Sequence, residues 1–146
     1  MPSPATVTYT TTIDATPEAV WHVLAVRFGE IDQISDGVAR SRYLSDQVEG
    51  VGTARRCDLA DGGFMEERVS VWEPPHTLGL VIDATSMPMA SGSALTFTLS
   101  PRGPAGTEVR VDGTYRLARL GLLSGLARPM VRRVVAGILD DLEQAV

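Results

Sequence analysis

The sequence predicts an α+β fold in which a curved antiparallel sheet of about seven strands wraps around one long C-terminal helix, with two short helices after the first strand. Three observations carry that expectation. Helix-start signals lie directly behind a single N-terminal strand, a period of two runs from Val38 to Leu117, and an apolar stripe at helical spacing fills the tail. A half-polar sheet must cover one face, and only the C-terminal helix is long enough to lie across it. Strong curvature then leaves space beneath that helix.

Thr6 to Ile13 is rich in threonine and β-branched residues, and Val7, Tyr9, Thr11 and Ile13 share one alternating face, as in a strand. Thr16-Pro17-Glu18 supplies an N-cap, a proline at the first helical position and an acidic first turn. The helix is expected to run to about Val26, with Val20, Val23, Leu24 and Arg27-Phe28 along its apolar side. A weaker signal suggests a second short helix or turn from Glu30 to Ser35. Strands follow at Arg40 to Asp46, Thr53 to Leu59 and Met65 to Trp72, separated by glycine-rich turns. After Pro74-Pro75 come Leu78 to Ile82, Ser93 to Ser100 and Thr107 to Leu117, the last with Val109, Val111, Gly113, Tyr115 and Leu117 on one face.

The tail from about Leu120 to Ala145 repeats Leu123, Met130, Val134, Ile138 and Leu142 on one side of a helix. Gly121, Gly125 and Pro129 predict a loop, turn or kink before a regular helix that starts at Pro129. No internal repeat divides the chain, so residues 1–146 are expected to form one domain.

The chain has 146 residues, 44% of them apolar, and at that length about 68–70% of the unfolded surface should be buried without disulfides or a structural metal. Cys57 is the only cysteine, which excludes an internal disulfide and multi-cysteine zinc motifs. His22 and His76, the only histidines, show no metal-ligand spacing and are expected at the surface. A net charge of -5 argues against nucleic acid as a partner. No basic leader and no apolar run long enough to span a bilayer are present, so a cytoplasmic protein is expected, as a monomer or a homodimer. Arg116, Arg119, Arg128, Arg132 and Arg133 form a local basic cluster near the C-terminus, read either as a solvated helix face or as a patch for a membrane surface or acidic partner.

Three segments carry a family likeness: Ile13-Asp14-Ala15-Thr16-Pro17-Glu18-Ala19-Val20-Trp21, Gly50-Val51-Gly52-Thr53-Ala54-Arg55-Arg56-Cys57, and Glu67-Arg68-Val69-Ser70-Val71-Trp72-Glu73-Pro74-Pro75. With the long C-terminal helix they make the chain resemble the START and birch-pollen-allergen superfamily, SRPBCC, and especially its polyketide cyclase/dehydrase-like branch. The resemblance covers nearly the whole chain. It implies a helix-grip architecture with a cavity between sheet and C-terminal helix, entered past loops such as Ala60 to Gly63 and Thr85 to Ser91. It brings no universal catalytic residue, because fold does not settle activity.

Alternation supplies the sharpest local expectation. If Cys57 and Leu59 point inward, so does Arg55; if Val69 and Val71 point inward, so does Glu67. Arg55 is then an anchor for a ligand oxygen and Glu67 an acid or base, or the two form a structural ion pair, or a bulge near Gly62-Gly63 turns one of them outward. Tyr115, inward on the last strand, is a hydrogen-bond donor to a ligand or a core residue, and Tyr43 is read similarly. Cys57 is a nucleophile only if a neighbour lowers its pKa; otherwise it is a small buried wall residue. Val69, Phe97, Met130 and Val134 complete the expected ligand-binding set with Arg55, Cys57, Glu67 and Tyr115, and Met65, Met87 and Met89 are candidates for adaptable lining.

Two functions follow. The first is binding of a mostly apolar or amphipathic small molecule, such as a lipid, polyketide or similar metabolite. The second is a polyketide cyclase or dehydratase that folds a reactive chain in the same cavity, with Arg55, Glu67 and Tyr115 as its catalytic candidates and neither metal nor cofactor required.

Overall fold

A computed structural model describes residues 5–87, 92–115 and 124–146, with side chains in the last stretch at position 129 and from 132 onward. The chain opens with strand β1 (Ala5–Ile13), whose Val7 and Ile13 are buried between exposed threonines. Helix α1 (Pro17–Trp21) starts where the capping signals put it: the Thr16 hydroxyl oxygen accepts the Ala19 N–H at 3.3 Å, and Pro17 takes the first position. The helix then widens. A π-helical turn (His22–Val26) is closed by the Arg27 N–H on the His22 carbonyl at 2.9 Å, and a 3₁₀ segment (Phe28–Gln33) follows. One 3.6-residue stripe cannot bury Val20, Trp21, Val23, Ala25 and Phe28 together, and the wider turn brings all five inside.

Six strands complete the sheet: β2 (Val38–Tyr43), β3 (Ala54–Leu59), β4 (Phe64–Glu73), β5 (Thr77–Thr85), β6 (Ala94–Arg102) and β7 (Gly106–Tyr115). Every neighbouring pair is antiparallel, in the order β1-β7-β6-β5-β4-β3-β2. β1 and β2 therefore lie at opposite edges, and the helical segments between them cross the concave side. β2 ends at Tyr43, short of the expected Asp46, because Ser45 and Gln47 bind the backbone of the following loop instead of extending the ladder. Leu117, at the expected end of the last strand, lies outside the described residues, as do Arg116, Arg119, Leu120, Leu123 and Met89.

Helix α2 (Ser124–Ala145) departs from the expected start at Pro129, since Pro129 sits inside it. A proline this close to the N-terminus removes only one intrahelical hydrogen bond beyond those missing at any helix start, and Pro129 is exposed, so its ring meets water. Along α2 the fully buried residues are Val135, Leu139 and Leu142, while Val134 and Ile138, from the stripe read in the sequence, are half-buried beside a cavity. Both stripes are apolar, so the helix covers the core with one and the cavity with the other.

The core unites Val7, Phe97, Leu99, Val109 and Val111 from the sheet with Val20, Phe28 and the α2 anchors. Trp21 meets Trp72 edge-on, with ring centroids 5.1 Å apart, which fastens α1 to the far end of β4. The outer face of the sheet carries charges instead. Arg56 bridges Asp58 and Glu66, Arg68 pairs with Asp83, and the Arg110 guanidinium with the Thr8 hydroxyl holds the Asp112 carboxyl below the ordinary carboxylate range. His22 and His76 are both exposed. No helix among the described residues is long and apolar enough to cross a membrane.

Candidate functional site

A cavity of about 480 Å³ lies between the inner face of β3 to β6, the helical crossing and α2. Its wall is built mainly from apolar side chains, among them Leu80, Leu95 and Phe97 from the sheet and Val134 and Ile138 from α2. Val23, Leu24, Ile31 and Ile34 close it from the helical crossing. The crossing's share is the part that strand alternation could not reveal. Its signal in the sequence was the Ile31–Ile34 spacing within the weak second helix.

Arg55 and Glu67 stand directly opposite each other on β3 and β4, and the register between these strands is unbroken from Ala54 to Asp58. The Gly62-Gly63 turn therefore displaces neither residue. Irregularities fall on the other side of β4, against β5, between Glu66 and Glu67 and between Val69 and Val71. The Arg55 Nε and Nη2 donate to the same carboxylate oxygen, Glu67 Oε2, at 2.8 and 2.7 Å. Arg55 Nη1 donates to the Phe28 carbonyl at 2.6 Å, and the guanidinium lies over the Phe28 ring, 3.9 Å from its centroid. Burial works against the charged guanidinium, but Glu67 foremost among its neighbours outweighs that, so the Arg55 proton is held above the ordinary arginine range. Glu67 Oε1 takes part in no hydrogen bond among the described residues. Both residues border the cavity.

Cys57 borders the same space, between Arg55 and Leu59. Burial pushes its thiol up to about 11, and Arg55 only partly opposes that, so the thiolate needed of a nucleophile is scarce at neutral pH. Alkylation of Cys57 by iodoacetamide is expected to accelerate steadily with pH, with no plateau below about 11. A plateau near the ordinary 9.0 would contradict this environment. The sign for stability follows. A thiol pKa raised on folding stabilises fully below 9.0, and that contribution fades as pH rises towards about 11.

Of the other residues singled out in the sequence, Phe97 and Val134 stand in the cavity wall, as do Met65 and Met87. Val69 and Tyr115 do not. They are fully packed, at 0% and 3% exposure, in the hydrophobic core. Inward-facing and cavity-lining differ for Tyr115 because α2 packs over β1, the neighbour of β7 at that edge of the sheet, while the space opens over β3 to β6; Val69, although on β4, is covered by the core cluster and does not reach that space. The Tyr43 hydroxyl accepts the Gly29 N–H at 3.0 Å, and its ring lies where a Cβ on Gly29 would be, so Tyr43 locks the 3₁₀ segment to β2. The side chains of Met130 and Arg128 lie outside the described residues; Arg132 and Arg133 are exposed, and Arg133 reaches the cavity rim. No group of three or more metal-ligating side chains occurs among the described residues.

Residues 4–146 match the model of a family described as "Polyketide cyclase / dehydrase and lipid transport". No curated protein matches the chain. Among solved structures, a START superfamily protein from Mycobacterium smegmatis superimposes with a TM-score of 0.81 at 16% identity, covering 97% of this chain and 96% of its own. Ara h 8.0201 gives 0.81 at 14% identity with the same coverages. The protein XoxI from Bacillus cereus gives 0.80 at 19% identity, covering 97% of this chain and 94% of its own. At such identities these likenesses establish the helix-grip fold alone.

Proposed function

Because the chain belongs to the polyketide cyclase/dehydrase and lipid transport family of the SRPBCC superfamily, we propose that it binds a mostly apolar small molecule carrying one neutral polar group. The observation that carries this reading is the 480 Å³ apolar cavity whose wall holds, among the described residues, one buried, internally neutralised ion pair. At about 30 Å³ per water-sized group, such a space suits a ligand of roughly sixteen heavy atoms.

The ion pair sets the polarity of the ligand. Three of the five N–H donors of Arg55 are committed to Glu67 and the Phe28 carbonyl and Glu67 already balances its charge, so a ligand carboxylate would be buried beside Glu67 as a second negative charge with no counter-charge of its own. A hydroxyl or carbonyl meets no such penalty, and Glu67 Oε1 is a ready acceptor for a hydroxyl. Dodecanol is therefore expected to displace a neutral fluorescent probe such as N-phenyl-1-naphthylamine about tenfold better than dodecanoate at neutral pH. Equal displacement, or preference for the acid, would refute the neutral-ligand reading. A probe that never binds saturably at one site would remove the binding function itself.

The same observations favour binding over cyclase chemistry. Tyr115 is packed in the core and does not line the cavity, burial disfavours the Cys57 thiolate, and three N–H donors of Arg55 are engaged. That leaves Glu67, through Oε1, as the acid–base candidate in the buried wall, with Asp61 and Asp141 bordering the cavity elsewhere.

A further inference from the structure

We propose that Gly137 is the doorway of the cavity, the position where the missing side chain lets an apolar ligand pass α2 and where side-chain size limits what enters. The proposal builds on the binding reading above. Glycine is among the poorest helix formers, and Gly137 stands in the interior of α2. An interior glycine is ordinarily explained by a left-handed backbone or by a neighbour too close to admit a Cβ. Neither holds. Gly137 is not among the positive-φ glycines, and a Cβ built on it meets no heavy atom within 4 Å among the described residues. Gly79, by contrast, would put a Cβ 2.9 Å from Ser70 and Val71.

Gly137 is at once exposed to solvent and part of the cavity wall, which places it at an opening. Arg133 and Asp141, one turn before and one turn after on the same face of α2, also border the cavity. Their charged ends belong in water, so α2 presents a charge, a gap and an opposite charge above an apolar interior. The two charges cancel, so the rim selects neither anions nor cations. That matches a neutral ligand.

Cys57, the lone cysteine, sits in the wall and reports on passage without any ligand. The test is the rate at which N-ethylmaleimide labels Cys57 in the full-length chain and its Gly137→Ala, Gly137→Phe, Gly137→Leu and Asp140→Phe variants. Asp140 is exposed on α2 and does not border the cavity. Gly137→Ala should raise Tm by about 2–4 °C through helix propensity and label at nearly the parent rate. Gly137→Phe and Gly137→Leu should slow labelling, and N-phenyl-1-naphthylamine association and dissociation with it, about tenfold or more with Tm held. Asp140→Phe should label like the parent. Labelling of both bulky variants at the parent rate overturns the doorway, whatever the dye does. Slowed labelling in a parent background that takes up no dye supports the doorway and overturns the binding reading instead.

Discussion

Replacing Glu67 with leucine is expected to destabilise the fold by about 3–5 kcal/mol, because it leaves the Arg55 guanidinium buried without its counter-charge. Side-chain exposures of 11% for Arg55 and 6% for Glu67 separate this pair from the surface bridges, such as Arg68 with Asp83, which are worth about 0–1 kcal/mol each. Arg55→Met should cost a similar amount, since it strands the carboxylate and releases the Phe28 carbonyl. The double variant Arg55→Met/Glu67→Leu is expected to recover most of the loss, because two apolar chains of similar length suit the wall and leave no charge behind. Urea unfolding of the four proteins reads the coupling directly. Single variants that each lose less than about 1 kcal/mol would mean that the cavity solvates the pair as water does. The same set separates structure from recognition: the double variant should still bind a neutral apolar probe while losing its preference for dodecanol over dodecanoate.

Filling the cavity should be as decisive for binding as breaking the pair is for stability. Cys57 is a small side chain in the cavity wall, and Cys57→Phe would send a ring into space that is empty. A ring there excludes three or four ligand methylenes at about 0.8 kcal/mol each, so affinity for a long neutral ligand should fall on the order of a hundredfold. Overpacking costs stability only where atoms already touch, so Tm should stay within a few degrees of the parent. Unchanged affinity in a folded Cys57→Phe protein would place the ligand elsewhere. A Tm collapse would instead show that the wall is closed in solution, and Leu80→Phe from the neighbouring part of the wall would then decide whether the space exists.

The chain's own residues determined the order of elements and, within an undisturbed strand, which side chains share a face. Thr16-Pro17-Glu18 marks a helix start by chemistry confined to one turn, and the alternation around Cys57 and Val69 places Arg55 and Glu67 on one face because a strand repeats every two residues. These are local rules, and local rules survive translation into three dimensions. What only tertiary structure decided was which inward residues face a cavity and which face solid core. Tyr115 and Glu67 obey the same alternation, yet one is packed and the other borders open space, because the position of α2 across the curved sheet divides the concave side unequally. The widening of the first helix, the passage of α2 through Pro129 and the gap at Gly137 belong to the same class. Each depends on how much apolar surface distant elements demand from one another, a quantity that no window of sequence contains.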